Sequence, residues 1–590
     1  MHLKLYVLLF TAVLFLPVLA SAQERTERFP HVQHPTLTAI DEAYSRGVLS
    51  RDQAMLQQFY AGYSPEQLLE SFRDPDAPPI KCMVPVQQQY MTIKDKLSAA
   101  TVAEIEQMNA RSTTEKEFEY LSPSGVFVFH YDTAGTDGVP PESTIPEAME
   151  EGIPDYIYHA AFAADSSYRY QVEEAGFTDF IESDPLEIHF EDIGYYGEFR
   201  YSVSPPFIRV HNNFEGFPEN THPESNQIGA LYVTLAHEIK HAIQYANNRL
   251  RGSAGSISWS EMDATLMEEV VFDDVNDYYN YIKTDLESNT PFFSSIFGGA
   301  DVATPGAYWH VTWMIYFWEQ YGIQFWVDVW EEVRQEPLIE FAEAIEIVLE
   351  RKGLNLGTEH LRNHKWHMGS GDQFSLSETG FRERLEYPNP RFQQQLFSDT
   401  YSLNNLRLQP FAANYIEVVP PNLAEGQPKI SVDAEIESFG ISAVAYFLDG
   451  TTDEALFLNP NSSLQELQTT WNWNELNSLS IAVVNSNSED SSTYDLWITT
   501  APPDDDFITQ NYPNPFNQET TIEFSLNDRK HVKVEIYDSI GRKIATLLDE
   551  PIESGFHSVD FDGSGLASGM YLYRITTNEA SITRKMLLIK

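Results

Sequence analysis

Leu231-Tyr232-Val233-Thr234-Leu235-Ala236-His237-Glu238-Ile239-Lys240-His241-Ala242-Ile243-Gln244 is the stretch that decides how the rest of the chain is read. It carries no Gly or Pro, and its apolar flanks predict a buried helix rather than a surface helix bearing chance His and Glu. Residues four apart share a helix face, so His237 and His241 can present two imidazole nitrogens to one ion. Glu238, about 100° around the helix from His237, is left beside an open coordination position. Zinc fits this pattern, because two neutral imidazoles plus one carboxylate leave a fourth site for water. The metal would acidify that water and polarise a scissile carbonyl, while Glu238 takes the proton and passes it to the leaving amine.

The third ligand is expected from a second helix. Trp259-Ser260-Glu261-Met262-Asp263-Ala264-Thr265 supplies Glu261 after nineteen intervening residues. A competing reading is local: Ser258 and Glu261 fit a capping box, with Glu261 reaching back to the Ser258 backbone. Glu268 and Glu269 are the next candidates for the ligand. HExxH followed by Glu at this spacing resembles the gluzincin arrangement of thermolysin-like peptidases, and the W-x-E-x-x-A context is similar to that of gluzincin aminopeptidases. The resemblance implies zinc held by His237, His241 and Glu261. Thermolysin-like enzymes carry an Asp four positions after the ligand Glu to orient a zinc His. Here that position is Thr265, which leaves the supporting shell open, with Asp263 a weaker candidate.

Outward from the motif, strand patterns are predicted at Val126–Tyr131, Leu186–Phe190 and Phe207–Val210. Helical patterns run over Asn226–Asn248, Ser260–Ile282, Tyr308–Tyr321, Phe325–Val333 and Leu338–Glu350. One α+β domain, 116–395, therefore encloses the motif. The segments Phe129-His130-Tyr131, Gly152-Ile153-Pro154-Asp155-Tyr156 and Ala236 to Gln244, with a later landmark from Glu268 to Tyr279, resemble a family of secreted bacterial metallopeptidases. That resemblance implies a zincin-like fold and peptide-bond hydrolysis, and it names no substrate. Oxyanion stabilisation needs a Tyr, His or Arg opposite the ion. Tyr308 is the chosen candidate, with His310, His360 and His364 behind it. Trp309, Trp313, Tyr316 and Phe317 mark the Tyr308 helix as core packing, which is the competing reading.

Towards the N-terminus, 23–115 carries helical patterning broken by three prolines between Asp74 and Pro79. It reads as an N-terminal cap or a removable propeptide. It contains Cys82, the single cysteine of the chain, so no intrachain disulfide can form. Cys82 has two readings, a buried apolar thiol or a thiolate that occupies the open zinc position and holds a protease latent. Residues 1–22 show Lys4, an apolar run from Leu5 to Leu19 and Ala20-Ser21-Ala22, the pattern of a signal peptide. No later run is apolar enough to span a membrane. A net charge of -51 excludes a nucleic-acid partner, which needs clustered Lys and Arg, and 42% hydrophobic residues exclude global disorder.

Beyond the motif domain, short strand patterns at Tyr415–Val419, Ile430–Val432, Ala443–Phe447, Leu479–Val484 and Tyr494–Thr499 predict a β-sandwich over 400–500. Pro502 to Asp506 reads as a linker. A second small all-β sandwich occupies 507–590, so the chain is multidomain, an α+β domain followed by two β-sandwiches. The last domain contains, in order, Asn511-Tyr512-Pro513-Asn514-Pro515-Phe516-Asn517, Gly541-Arg542, Asp562-Gly563, Leu566 to Arg574 and a closing Lys585 to Lys590. This set resembles the type A sorting domain of the type IX secretion system, with Phe561 where the family often has Trp. The resemblance implies the type IX machinery as partner and the outside or surface of a Gram-negative cell as destination. The expected function is a secreted zinc peptidase acting on protein or peptide. The alternative is a non-catalytic surface binding or adhesion protein on a degenerate peptidase scaffold, against which the intact Glu238 argues.

Overall fold

The computed structural model describes residues 34–110, 116–140, 153–181, 183–253, 257–284, 307–371, 380–390, 392–421, 424, 426–488, 490–501, 507–508, 511, 513–526, 528–578 and 581–590. The expected signal peptide and the linker at 502–506 lie outside these. The chain divides into two compact units, the first closing at Arg351 and the second opening at Lys352.

The first unit is built on a mixed sheet of β1 (Ile80–Cys82), β2 (Phe118–Leu121), β3 (Phe127–Tyr131), β4 (Leu186–Glu191), β5 (Tyr195–Arg200) and β6 (Phe207–His211). The strand order is β1-β5-β6-β4-β3-β2. Strands β3, β4 and β6 run parallel, and β5 is antiparallel to β6. At the edge β1 joins β5 in parallel, with Ile80 opposite Tyr195 and Cys82 opposite Gly197. The alternating stretches gave β3, β4 and β6 away. Strand β5 did not show, because all six of its residues are buried and two of them are Glu198 and Arg200. These pair at 2.8 Å, and Arg209 adds a second cation at 3.2 Å from Glu198. Two charges inside a strand erase the polar-out signal that sequence reading depends on.

The N-terminal segment does form helices, Pro35–Ser45, Arg51–Tyr63, Val84–Ile93 and Ala99–Asn109, but it also supplies β1 to the sheet. Buried polar contacts fix it there. The Tyr63 hydroxyl donates to Glu198 at 2.5 Å, Gln87 donates to the same carboxylate, and Arg200 donates to the Asn109 carbonyl at 2.5 Å.

The motif helix, Asn226–Asn248, starts where the Ser225 hydroxyl accepts from the Ile228 amide at 3.2 Å. It ends at Arg249, which adopts a left-handed conformation with φ 58°. It packs across β5 and β6, and Gly197 permits the approach: a Cβ there would stand 2.6 Å from Thr234 Cγ2 and 3.2 Å from Glu238 Cγ. The single helix expected over Ser260–Ile282 is two helices, Ile257–Val271 and Tyr279–Thr284. Between them the chain turns through Asn276 at φ 49°, which brings Asp277 to within 2.5 Å of Lys81 Nζ.

In the second unit, helix Leu356–Met368 packs against sandwich strands, so the boundary expected at 395 moves back towards Arg351. A Cβ on Gly440 would stand 2.7 Å from Leu361 Cδ1, and His364 Nδ1 is 2.7 Å from the Tyr415 hydroxyl. Strands between Gln394 and Ala501 form sheets of four and five strands that share one apolar core, including Ile430, Val432, Ile441, Ile481 and Leu496. Strands between Phe507 and Leu588 form sheets of three and four around a separate core that includes Ile522, Phe524, Val534 and Tyr573. The whole is a mixed α/β, multidomain chain with a β-rich C-terminal half. Among the described residues no helix is long and apolar enough to cross a membrane.

Candidate metal centre

His237 and His241 project one turn apart from the motif helix, with Nε2 atoms 3.1 Å from each other. Helix Ile257–Val271 carries Glu261 against them, one carboxylate oxygen 3.2 Å from His237 Nε2 and the other 3.2 Å from His241 Nε2. That helix begins before Ser258, so Ser258 is not its N-cap and the capping-box reading fails. The fourth member comes from β1: Cys82 Sγ lies 3.6 Å from His241 Nε2. One ligand atom from each of the four residues falls within 4.8 Å of every other, and all four residues are buried.

These spacings test whether zinc fits. Ligands about 2.0–2.1 Å (N, O) and about 2.3 Å (S) from a tetrahedral ion stand about 3.3 Å apart for N···N and N···O, and about 3.6 Å apart for N···S. The observed 3.1 Å N···N and 3.6 Å N···S distances are close to that pattern, and the carboxylate straddles the two imidazoles with a different oxygen 3.2 Å from each. Two neutral imidazoles would otherwise aim lone pairs at each other across 3.1 Å, so the arrangement calls for positive charge between them.

The atoms behind the ligands set their tautomers. His237 Nδ1 donates to Glu268 at 2.7 Å, and His241 Nδ1 donates to the Gln244 side-chain oxygen at 2.8 Å, which leaves both Nε2 lone pairs for the ion. Gln244 in turn donates to Asp263 at 2.8 Å and to the Ser260 carbonyl at 2.9 Å. Glu268 also meets Lys81 Nζ at 3.0 Å. Glu268 therefore takes the place that Thr265 leaves vacant, one helical turn further along, while the Thr265 hydroxyl donates to its own helix at the Glu261 carbonyl. Asp263 acts on His241 only through Gln244. Glu269 is buried on the same helix and is not in the cluster.

The cluster attracts positive charge. Burial would lower the His237 imidazole, but Glu261 and Glu268 outweigh it and raise it to about 10. Burial would raise Glu261, yet the two histidines hold it down at about 2. Burial pushes Glu238 up to about 7 against the pull of His237 and His241, and the Cys82 thiol is its side-chain hydrogen-bond partner.

Tyr308 reaches the site, but its hydroxyl donates to Glu261 at 2.8 Å and so braces a ligand. His310 is buried at the start of the same helix. His360 and His364 belong to the second unit, where they meet Phe411 and Tyr415, and the cluster is made from the first unit alone.

Comparison with known proteins bears on the other end of the chain. Residues 510–590 match the secretion system C-terminal sorting domain. The chain is thus addressed to the type IX secretion system, which carries it to the cell surface or the extracellular space. No curated protein matches the sequence. Among solved structures, PorZ, a surface component of that secretion system in Porphyromonas gingivalis, shares 21% identity over 16% of this chain and 14% of its own, with a TM-score of 0.12. A β-glucuronidase from Ruminococcus gnavus shares 10% identity over 30% of this chain and 36% of its own, with a TM-score of 0.10. One from Dictyoglomus thermophilum has the same identity and coverage with a TM-score of 0.11. The chain spans well under half the length of these structures, and likenesses at this level carry no argument about function.

Proposed function

We propose that the first unit is a zinc-dependent peptidase of the gluzincin type, exported to act on protein outside the cell. The observation that carries the reading is the convergence of His237, His241 and Glu261, ligand atoms within 4.8 Å of one another, beside the buried carboxylate of Glu238. A zinc ion held there supplies Lewis-acid polarisation of a carbonyl and acidification of water. Glu238, buried beside the cluster, receives a proton and returns it to the departing amine. Glu268 and Gln244 keep the two imidazoles in the tautomer that presents Nε2, and Tyr308 keeps Glu261 oriented. Strand β5 lies next to Glu238, and its outer edge is covered by β1.

The purified chain should hold one zinc, and Glu238→Gln should keep the metal while cutting cleavage of an unfolded protein by about 10²–10⁴-fold. Full activity in that variant would overturn the assignment of the base. One observation favours the rival, non-catalytic reading: Cys82 gives the ion a fourth protein ligand, and closed four-ligand sites are structural in most proteins.

A further inference from the structure

We infer that Cys82 is a removable fourth zinc ligand, and that residues 35–109, through Cys82 and strand β1, hold the proposed peptidase latent. The inference rests on the peptidase reading and concerns the regulation of that same site.

Three independent observations meet at Cys82. Its sulfur sits 3.6 Å from His241 Nε2, a spacing that fits two ligands of one tetrahedral ion, and it shares the cluster with His237 and Glu261. The Val84 amide donates to the sulfur at 3.4 Å, and the Glu238 carboxylate is a side-chain hydrogen-bond partner of the same sulfur, so Cys82 stands against the proposed base as well as the histidine. The backbone around it is an edge strand, Ile80–Cys82, pairing with β5 at the rim of the sheet. Cys82 lies opposite Gly197, the residue on which Glu238 packs. The segment thus fills two places at once: the coordination position that hydrolysis needs open, and the strand edge on which an extended substrate would pair.

The hold is strong and local. Lys81, next in chain to the ligand, is buried and bridges Glu268 and Asp277, so the residue that orients His237 is also the one that anchors the strand. Tyr63, Gln87 and the Asn109 carbonyl fix the flanking helices to the Glu198–Arg200 pair. When the segment leaves, the metal–sulfur bond breaks, the thiolate takes a proton from solvent, and the fourth position becomes available to water. No oxidant or reductant is needed. An exported enzyme gains from this device because it stays inert until it has left the cell.

The test uses the full chain loaded with cobalt in place of zinc. The wild type should show the near-ultraviolet thiolate-to-cobalt absorption, and Cys82→Ala should lose it while still binding one ion. A thiol-reactive disulfide reagent should leave Cys82 unmodified until a chelator is added. With zinc bound, Cys82→Ala should cleave denatured casein at least ten-fold faster than the wild type, and Glu238→Gln added to it should remove the gain. Because β1 could still cover the sheet edge in Cys82→Ala, a second form carries a protease site inserted after Asn109. Cutting that folded form should raise cleavage by at least the same factor. Absence of the thiolate band, or activity unchanged by both the substitution and the cut, overturns latency and leaves a cleaving wild type as a peptidase. A thiolate band together with no cleavage from any form sinks the peptidase reading and leaves a closed structural zinc site.

Discussion

The first unit buries a dense set of ion pairs beside its apolar core, which the two sandwich cores of the second do not. Inside the first lie Lys81, Glu198, Arg200, Arg209, Lys240, Asp263, Glu268 and Asp277 around the four-residue cluster, nearly all in ion pairs. The cores of the second are aliphatic and aromatic, with Ile, Val, Leu and Phe from facing sheets. A β-sandwich that carries an address needs only to fold and persist, and apolar packing does that without the cost of desolvating charge. A site that must hold a cation beside a proton acceptor needs buried charge, each member of which must be matched by another. The contrast locates the chemistry before any reaction is assumed.

The contrast is most exposed to failure at Glu198. Glu198→Ala strands Arg200, leaves Arg209 only Glu191 as a carboxylate partner, and should destabilise the first unit by about 3–5 kcal/mol, whereas Ile481→Val in the sandwich core should cost about 0.5–1.5 kcal/mol. Hydrogen exchange read separately on peptides of each unit checks both. Equal effects would say that the charges are well solvated and the contrast is false.

A smaller effect is expected from Glu268→Gln, which keeps the shape but weakens the acceptor for His237 Nδ1. Zinc affinity should fall about 10–100-fold, measured by competition with a chromogenic chelator, and Thr265→Ala should leave it unchanged. The reverse result would mean that Thr265 supports the site after all.

The smallest is a pH effect at His211, in the first unit outside the cluster. Burial depresses its imidazole to about 4, and its Nδ1 accepts from the amides of Asn213 and Phe214 at 3.1 and 2.9 Å. The folded state therefore binds a proton less readily than the unfolded chain. Its contribution is whole above about pH 6.5 and is lost as pH falls towards 4. Replacing His211 with Asn should flatten that part of the urea-midpoint profile, and an unchanged slope would place the acid sensitivity elsewhere.

Sequence by itself determined the features that depend on short-range pattern. The spacing of His237 and His241 needs only a helix, and the flanks from Leu231 to Gln244 ensure one. The sandwich strands announce themselves by alternation, and the sorting domain by an ordered set of turns and aromatics. Tertiary structure alone decided where residues distant in the chain meet. Glu268, not Thr265 or Asp263, supports His237, because that depends on how two helices face each other. Strand β5 was hidden because Glu198 and Arg200 sit inside it as a buried pair, completed by Arg209 and by Tyr63 and Gln87 from the N-terminal segment. Tyr308 lies at the site yet braces Glu261, a direction no periodicity encodes. Cys82 is the clearest case: as a lone thiol in a helical segment it had two readings, and only the sheet, by taking Ile80–Cys82 as its edge strand, set the sulfur 3.6 Å from His241. Local sequence fixes which groups a helix or strand can offer, while long-range packing fixes which of them share one point in space.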